Sequence, residues 1–439
     1  MRVWLILSLS LIESVISGRC IAQNDDVPIY FESTLFDVIK AVNKESASNC
    51  SFIFITDTHV EANQMRSPYL IKRIIEQTKI NKVIWGGDAI CAYGKDTEIE
   101  PSWQKQTQLD SVVADIGFVY KIRGNHDFTI KENSKSDRGI TYSQRKTAQM
   151  LLAGHPENVV LNASDPDACY YYFDDTKSHF RFIAFDTTDS IRDENIAWGT
   201  IYGVHDRQLQ WIVDSAIATT PKGYDIILLS HVPFMDTFGA RNVVYDNVCE
   251  VIDAVFRKSA GHVGNVYYDF RKLKKTSVLM CLSGHNHQDR QTYRNGCVHM
   301  VTACDAAYND YKADPFVKDV SGRIKGTVNE QCFDCISIDR KKSLISVYRI
   351  GVGGNRFFHT NALKCKIGKS KHLKTSLNSP VEWRCYNASG NRYNGKWTLY
   401  NDVVDIDDHG TVVCKKQGEA VALAIDEMGN KEFYNIVVR

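Results

Sequence analysis

Five apolar runs, each followed directly by a short polar motif, constrain the fold of this chain more than any other feature of its sequence. The runs have the length and the β-branched or aromatic content of buried strands, and they cover residues 52–55, 83–85, 118–122, 226–229 and 278–282. The motifs that follow are D-T-H at 57–59, G-G-D at 86–88, G-N-H-D at 124–127, S-H at 230–231 and G-H-N-H at 284–287. Strands that end at the same sheet edge bring their following loops together. We therefore predict that the Asp, Asn and His side chains of these motifs converge on one patch.

Oxygen and imidazole donors gathered in this way suit a pair of divalent metal ions. Each motif alone is weak evidence, because an Asp after a strand often stabilises a turn or caps a helix. A lone His in that position is usually a surface or packed residue. Five motifs that each follow an apolar run are far more specific, since independent caps have no reason to recur in this way.

The segments between the motifs alternate strand-like and helix-like patterns. Apolar residues recur at helical spacing in residues 68–80, 102–113 and 207–218, and a short helix is expected at 35–42. Residues 333–338 and 344–350 flank a charged turn, which is the pattern of a β-hairpin. This alternation predicts a sheet covered by helices.

The bulk composition points to an ordinary soluble globular protein. The chain has 439 residues, 44% apolar and 24% charged, with a net charge of +1. That length is enough for a large core and at least two domains. The balanced charge gives no reason to expect a nucleic-acid polymer or a membrane surface as a partner.

Residues 1–22 have the features of an export signal. Arg2 precedes an apolar stretch at 3–12 that is too short to span a bilayer, and small and polar residues follow it. Cleavage is expected after Gly18 or Ala22, while Cys20 leaves the alternative of a lipid anchor. Arg19 is a poor match to the small residue that such anchors need. We predict a secreted, periplasmic or cell-envelope-associated protein, with residues 23–49 as a polar lead-in.

The thirteen cysteines are compatible with disulfides in an oxidising compartment, but their pairing cannot be read from the sequence. Cys332 and Cys335 have the spacing of half a zinc knuckle or of a redox pair. No second C-x-x-C accompanies them, which favours two ordinary strand residues.

The C-terminal region has its own pattern. The lysine-rich segment 364–374 is expected to be a linker or an irregular crossing, and residues 375–439 contain short strand-like runs separated by turn signals. This is the signature of a small β-sandwich. Residues 404–413 and 418–425 resemble the second half of a bacterial immunoglobulin-like group 2 domain, which implies an accessory module.

The ordered motifs D-x-H, G-D, G-N-H-D, H and G-H-x-H resemble those of the calcineurin-like metallophosphoesterases. The resemblance covers roughly residues 50–350, and we place the domain at 50–360. It implies an α+β fold, a four-layer α/β/β/α sandwich, to which the small all-β C-terminal domain would be attached.

The resemblance also implies a metal-binding role for seven residues. Asp57, His59 and His287 would hold one metal, and Asn125, His231 and His285 would hold the second. Asp88 would bridge the two ions. Fe, Mn, Zn, Co and Ni all suit such ligands. Two divalent ions facing only two carboxylates would leave positive charge that attracts phosphate and acidifies a bridging water.

The remaining residues of G-N-H-D are the candidate catalytic groups. The resemblance implies that His126 contacts the phosphate and protonates the leaving oxygen, a task that suits imidazole. Asp127 is expected to orient His126 through a hydrogen bond. Gly86, Gly124 and Gly284 would allow tight turns and close backbone approach to the metals.

Together these features predict an exported, dimetal-dependent hydrolase of phosphomonoesters or phosphodiesters, with a metal-bridging hydroxide as the nucleophile. Nucleotides, sugar phosphates and lipid headgroups are the candidate substrates. Aromatic residues at 170–173 and 198–202 are either pocket walls that stack on substrate rings or ordinary core residues. The alternative function is a catalytically inactive surface-binding or adhesion protein.

Overall fold

The computed structural model describes residues 27–91, 96–127, 144–189, 202–235, 243–244, 246–306, 323–389, 391–393, 396–398 and 400–439. The predicted export signal and the site of Cys20 lie outside these residues. Within them, no helix is both long and apolar enough to cross a lipid bilayer.

The α-helices flank the sheets. They are α1 (Glu32–Lys44), α2 (Ser67–Gln77), α3 (Asp96–Ala114), α4 (Gln144–Leu152), α5 (Asp206–Trp211) and α6 (Asp246–Arg257). The predicted helix at 68–80 ends earlier, at Gln77, and the one at 102–113 begins earlier, at Asp96. The helix predicted at 207–218 begins as α5 and continues as a π-helical segment, Ile212–Ile217.

The strands of the first half of the chain are β1 (Cys50–Ile55), β2 (Lys82–Trp85), β3 (Phe118–Lys121), β4 (Val160–Leu161), β5 (Tyr171–Asp175), β6 (Phe180–Ala184), β7 (Tyr202–Gly203), β8 (Asp225–Leu229), β9 (Val243–Val244), β10 (Ala260–Val263), β11 (Val266–Asp269), β12 (Val278–Ser283), β13 (Arg290–Arg294) and β14 (Cys297–Val301). Those of the second half are β15 (Cys332–Asp339), β16 (Leu344–Gly351), β17 (Arg356–Cys365), β18 (Ser370–His372), β19 (Val381–Asn387), β20 (Asn391–Tyr393), β21 (Lys396–Thr398), β22 (Val404–Ile406), β23 (Thr411–Cys414), β24 (Gly418–Asp426) and β25 (Lys431–Val438).

Two large mixed sheets form the body of the protein. The first has the strand order β19-β24-β25-β17-β16-β15-β1-β2-β3, and the second has the order β13-β14-β12-β8-β6-β5-β4. β1, β2 and β3 are parallel neighbours in the first sheet, and β8 and β12 are parallel neighbours in the second. The predicted hairpin is confirmed as the antiparallel pair β15 and β16.

Side-chain alternation along the strands builds a layered core. On β1, Phe52 and Phe54 lie in the core between the two sheets, whereas Ile53 and Ile55 lie in the core beneath the helices. Period-two alternation produces this division, because successive strand residues face opposite sides of a sheet. Phe52 packs edge-on against Phe182 of the second sheet, with ring centroids 5.2 Å apart.

Helices cover the outer faces of both sheets. Residues of α1, α2 and α3 share a hydrophobic core with the first sheet, and residues of α5 and α6 share one with the second. The order of layers is therefore helix, sheet, sheet, helix, as the four-layer prediction requires. A β-rich C-terminal region completes the fold.

The C-terminal strands join the first sheet instead of standing apart from it. β25 pairs with β17 in parallel, and β24 pairs with both β25 and β19. The three-stranded sheet β18-β23-β22 supplies a second layer, and the two layers enclose a core that includes Val404, Val412 and Ile436. The immunoglobulin-like description and the domain boundaries stay predictions.

The segment 364–374, predicted as a linker or an irregular crossing, contains parts of two paired strands. β17 runs as far as Cys365 and pairs with β25, and β18 pairs with β23. Only Lys364 and Lys371 of the five lysines lie on these strands, where pairing of the backbone overrides the weak local pattern. Cys332 and Cys335 are buried strand residues of β15, each a free thiol.

Candidate metal centre

Five loops carry the predicted ligands to one edge of the two sheets. Three loops follow the parallel strands β1, β2 and β3, and two follow the parallel strands β8 and β12. Parallel neighbours end at the same edge, so each sheet presents its own loops as one group. The two groups face each other across the sandwich, and the donor side chains meet there.

One set of donors consists of Asp57, His59 and His287. One potential ligand atom from each residue lies within 4.8 Å of those from the other two. The Nε2 atoms of His59 and His287 are 3.4 Å apart, and Nε2 of His287 is 3.2 Å from Oδ1 of Asp57. Two imidazole nitrogens facing one carboxylate oxygen form a pocket for a cation.

The second set contains Asp88, His231 and His285, and its ligand atoms also lie within 4.8 Å of one another. Oδ1 of Asn125 lies 2.8 Å from Nδ1 of His285, which adds an amide oxygen to this set. Oδ2 of Asp88 is 3.0 Å from Nε2 of His231 and 3.9 Å from Nε2 of His59. Asp88 therefore lies between the two sets, where a bridging carboxylate would be placed.

The electrostatics of this site suit a bound cation. Burial lowers the pKa of His59 to about 4 and that of His285 to about 3, so both imidazoles are neutral near pH 7. Burial alone would also lower the pKa of His231, but the carboxylates of Asp88 and Asp57 raise it to about 10. His231 is therefore protonated near pH 7 when no metal is bound, and a metal ion would replace this proton. Neutral imidazoles and ionised carboxylates are the forms that bind metals, so binding at His231 releases a proton.

Backbone strain is concentrated at these donors. Positive φ angles occur at Asp57 (53°), His59 (39°), Asp88 (53°), His285 (69°) and His287 (55°). Residues other than glycine rarely adopt this conformation, and strained positions of this kind gather at functional sites. The strain indicates that the loops are shaped to present these side chains.

Hydrogen bonds orient the ligands further. The Thr56 hydroxyl and the backbone N–H of His285 both donate to Oδ2 of Asp57, at 2.7 and 3.0 Å. Nδ1 of His231 lies 2.9 Å from the carbonyl oxygen of Gly86. Donation by Nδ1–H to that carbonyl leaves Nε2 of His231 available for a metal, as in many metal sites.

Asp127 has different contacts from those predicted. Its carboxylate accepts hydrogen bonds from the backbone N–H groups of Asp88 (3.0 Å), Ala89 (2.7 Å) and Gly124 (2.7 Å). The carboxylate therefore joins the loops after β2 and β3, whereas a hydrogen bond to the ring of His126 was expected. Burial and the nearby charge of Asp88 raise the pKa of Asp127 to about 7.

His126 lies at the rim of the donor sets. Its backbone N–H donates to Oδ1 of Asp88 at 2.7 Å, and its Nε2 is 4.0 Å from Oδ2 of the same residue. Its ring packs edge-on against that of His59, with centroids 5.2 Å apart. Burial lowers the pKa of His126. This position beside both sets leaves its catalytic role a prediction.

Glycines allow the loops to approach one another closely. A Cβ at Gly124 would lie 2.1 Å from Oδ1 of Asp88, and one at Gly284 would lie 2.0 Å from Oγ1 of Thr56 and 2.4 Å from Oδ2 of Asp57. The contacts are with ligand residues and their neighbours. Side-chain volume at either position would displace a candidate ligand.

We expect Gly284→Ala to destabilise the fold by about 1–3 kcal/mol, the usual range for overpacking, and to reduce metal binding. Urea unfolding and metal analysis would measure the two effects. Gly117→Ala is the matched control, because its Cβ would meet Cδ1 of Ile75 at 3.1 Å and the carbonyl oxygen of Asn81 at 3.3 Å, both much longer than the contacts at Gly284. Equal effects from the two substitutions would contradict the steric explanation.

A further loop that the sequence reading missed supports the centre. Asp305 follows β14, its N–H donates to the carbonyl of Thr56 at 2.9 Å, and its carboxylate accepts from Asn63 (2.8 Å) and Ser67 (2.6 Å). The signal was present in the sequence, since Asp305 follows the apolar run of β14 much as the recognised motifs follow theirs.

The aromatic segments divide between core and site. Tyr170, Tyr171 and Phe173 are buried core residues, so they do not line a substrate pocket. Tyr202 packs edge-on against the ring of His285, with centroids 5.1 Å apart. Residues 198–201 lie outside the described part of the chain.

Parts of this chain are similar to solved phosphatase structures. A dimetal phosphatase from Danio rerio is 14% identical, with a TM-score of 0.42, over 70% of this chain and 98% of its own. A purple acid phosphatase from yellow lupin is 15% identical, with a TM-score of 0.39, over 71% of this chain and 53% of its own. These scores are too low to carry an argument. No curated protein matches the chain significantly in sequence.

The sequence match to a family model is more informative. Residues 50–289 match the model of the calcineurin-like phosphoesterases. The matched region covers more than half of the 439 residues and contains all five motifs. The chain belongs to the calcineurin-like phosphoesterase family.

Proposed function

We propose that this protein is an exported hydrolase of phosphomonoesters or phosphodiesters that requires two divalent metal ions. The observation that carries the proposal is the convergence of the two donor sets, each with ligand atoms within 4.8 Å of one another. Family membership supports the reaction class. The export signal suggested by residues 1–22 supports the location, and accessible small phosphoesters are the corresponding substrate class.

The seven candidate ligands would hold the two metal ions of such a reaction. Asp57, His59 and His287 would hold one ion, and Asn125, His231 and His285 the other, with Asp88 shared. Two bound divalent ions would neutralise phosphoryl charge and acidify a water molecule. No side-chain nucleophile is needed, so the chain's main contribution is rigid placement of ligands and substrate.

His126 is proposed to protonate the leaving oxygen. The expected result for His126→Asn is a fall in kcat of about 10²–10⁴-fold on phenyl phosphate, the usual contribution of a general acid. The fall should be much smaller on p-nitrophenyl phosphate, because nitrophenolate leaves readily without a proton. Exposed His179 provides the control substitution His179→Asn. Equal losses on both substrates would exclude this role for His126.

The function is tested by metal analysis together with a substrate panel. Purified protein would be assayed on p-nitrophenyl phosphate, bis-p-nitrophenyl phosphate and nucleotides, with Mn, Zn, Fe, Co or Ni supplied. We expect about two ions bound at the candidate centre and hydrolysis of at least one substrate class. Bound metal without turnover on any substrate would favour the inactive binding protein instead.

A further inference from the structure

A second group of metal-type side chains lies away from the candidate centre, on the outer face of the second sheet. Cys281 on β12 is directly opposite His299 on the parallel strand β14, and Cys297 is two residues before His299. These positions share one face, because residues two apart on a strand point the same way. All three side chains are 2% exposed.

The spacing of these atoms suits one tetrahedral metal ion. Sγ of Cys281 and Sγ of Cys297 are 3.6 Å apart, and a ligand atom of His299 lies within 4.8 Å of both. Two sulfur atoms bound to one zinc at about 2.3 Å each are separated by about 3.8 Å. A disulfide would instead bring them to about 2.05 Å. The observed separation therefore resembles that of a shared metal.

The cluster also contains a buried polar atom that has no hydrogen-bond partner among the described residues. Nε2 of His299 is buried and makes no hydrogen bond with any described residue. Burial of an unbonded polar atom is unfavourable. The pKa of the Cys297 thiol, which burial alone would raise, is lowered to about 6 by Cys281 and His299. Cys297 can therefore form a thiolate near neutral pH, and the thiolate is the form that binds metals.

The candidate fourth donor is on the helix above the strands. Cys249 of α6 is 5% exposed and shares the hydrophobic core of Cys281 and Cys297. Its thiol donates to the carbonyl oxygen of Phe234 at 3.5 Å and lies outside the 4.8 Å group of the other three ligand atoms, so it would turn toward them to complete the set. The pKa of Cys281 is raised well above its usual value, first by burial and then by Cys297, and the charge of Cys249 adds to the rise. Three cysteines and one histidine are a common ligand set for structural zinc.

We propose that Cys249, Cys281, Cys297 and His299 form a structural zinc site that joins α6 to β12 and β14. The thiol protons pass to solvent when the metal binds. All ligand positions are occupied by protein and the site is buried, so it has no open position for a substrate. β12 leads directly into the loop of His285 and His287, so the zinc would also steady the candidate catalytic centre.

X-ray absorption at the zinc edge tests this site directly. The candidate catalytic centre contains only nitrogen and oxygen donors, so zinc–sulfur scattering at about 2.3 Å has to come from elsewhere. We expect that signal in the full-length, zinc-loaded protein. Cys281→Ser should remove most of it together with about one zinc per chain. Cys335→Ser, a buried strand cysteine of the first sheet, should change neither.

Zinc-loaded wild-type protein with reduced thiols but no sulfur scattering would overturn the proposal. A disulfide between Cys281 and Cys297, found by peptide mapping without reductant, would also overturn it. If Cys281→Ser does not fold, Cys249→Ser replaces it and should remove one sulfur neighbour. Sulfur scattering in a protein that hydrolyses no phosphoester would count against the proposed enzymatic function alone.

Discussion

Asp88→Asn is expected to lower kcat/KM for phosphoester hydrolysis by about 10³-fold, comparable to the loss of a central charge-stabilising group. The Asp88 carboxylate lies between the two donor sets, 3.0 Å from Nε2 of His231 and 3.9 Å from Nε2 of His59, so its charge would be shared by both metal ions. Asparagine keeps the shape and can still accept the backbone N–H of His126, but it loses the charge. Metal content should fall with activity.

Asp225→Asn is the matched control, since Asp225 is buried at the opposite end of β8 from His231 and pairs with Arg340. The variant should retain both metal and turnover. Steady-state kinetics and elemental analysis on the two proteins would separate loss of the centre from loss of the fold. Full activity in Asp88→Asn would exclude a shared carboxylate at this position.

Arg349→Met is expected to destabilise the protein by about 3–5 kcal/mol, because it would leave two buried carboxylates with one cation between them. Nε of Arg349 lies 2.8 Å from Asp334, and its Nη2 lies 2.9 Å from Asp289. The Arg349 side chain and the two carboxylates are almost wholly buried. Arg356 pairs with the same two carboxylates, so two cations balance two anions.

Chemical unfolding would measure the loss, with Arg271→Met as the control. Arg271 forms an exposed ion pair with Asp269, and its removal should change stability little. Arg349→Met combined with Asp334→Asn should recover part of the loss, since the second substitution removes one unbalanced charge. No recovery in the double variant would mean that packing, not charge, dominates at Arg349.

The loops of the candidate centre were predictable because each motif is local. Asp57 and His59, for example, lie within four residues of the end of β1, and a strand delivers its following loop to a definite place. The arrangement of the strands in two sheets was harder to predict from the sequence. Period-two patterns show that Phe52 and Phe54 lie on the same face of a strand, but they do not show which residues of the second sheet pack against that face.

Contacts between distant loops were the least predictable part of the centre. The Asp127 carboxylate binds backbone N–H groups of Asp88 and Ala89, which are 39 and 38 residues away in the sequence. Every residue except proline has a backbone N–H group, so the sequence does not indicate which of these groups a distant carboxylate will bind. The family motif identified Asp127 as important without showing what it holds.

The sequence by itself determined the strand-and-loop order, the donor types and the calcineurin-like phosphoesterase family, because each depends on motifs of residues that are close together along the chain. Only the tertiary structure decided that β25 joins β17, that Asp305 supports Thr56 and that Cys281, Cys297 and His299 meet. These contacts depend on sheet register and helix packing. Register and packing emerge from the burial of whole faces, so no single segment contains the information that specifies them.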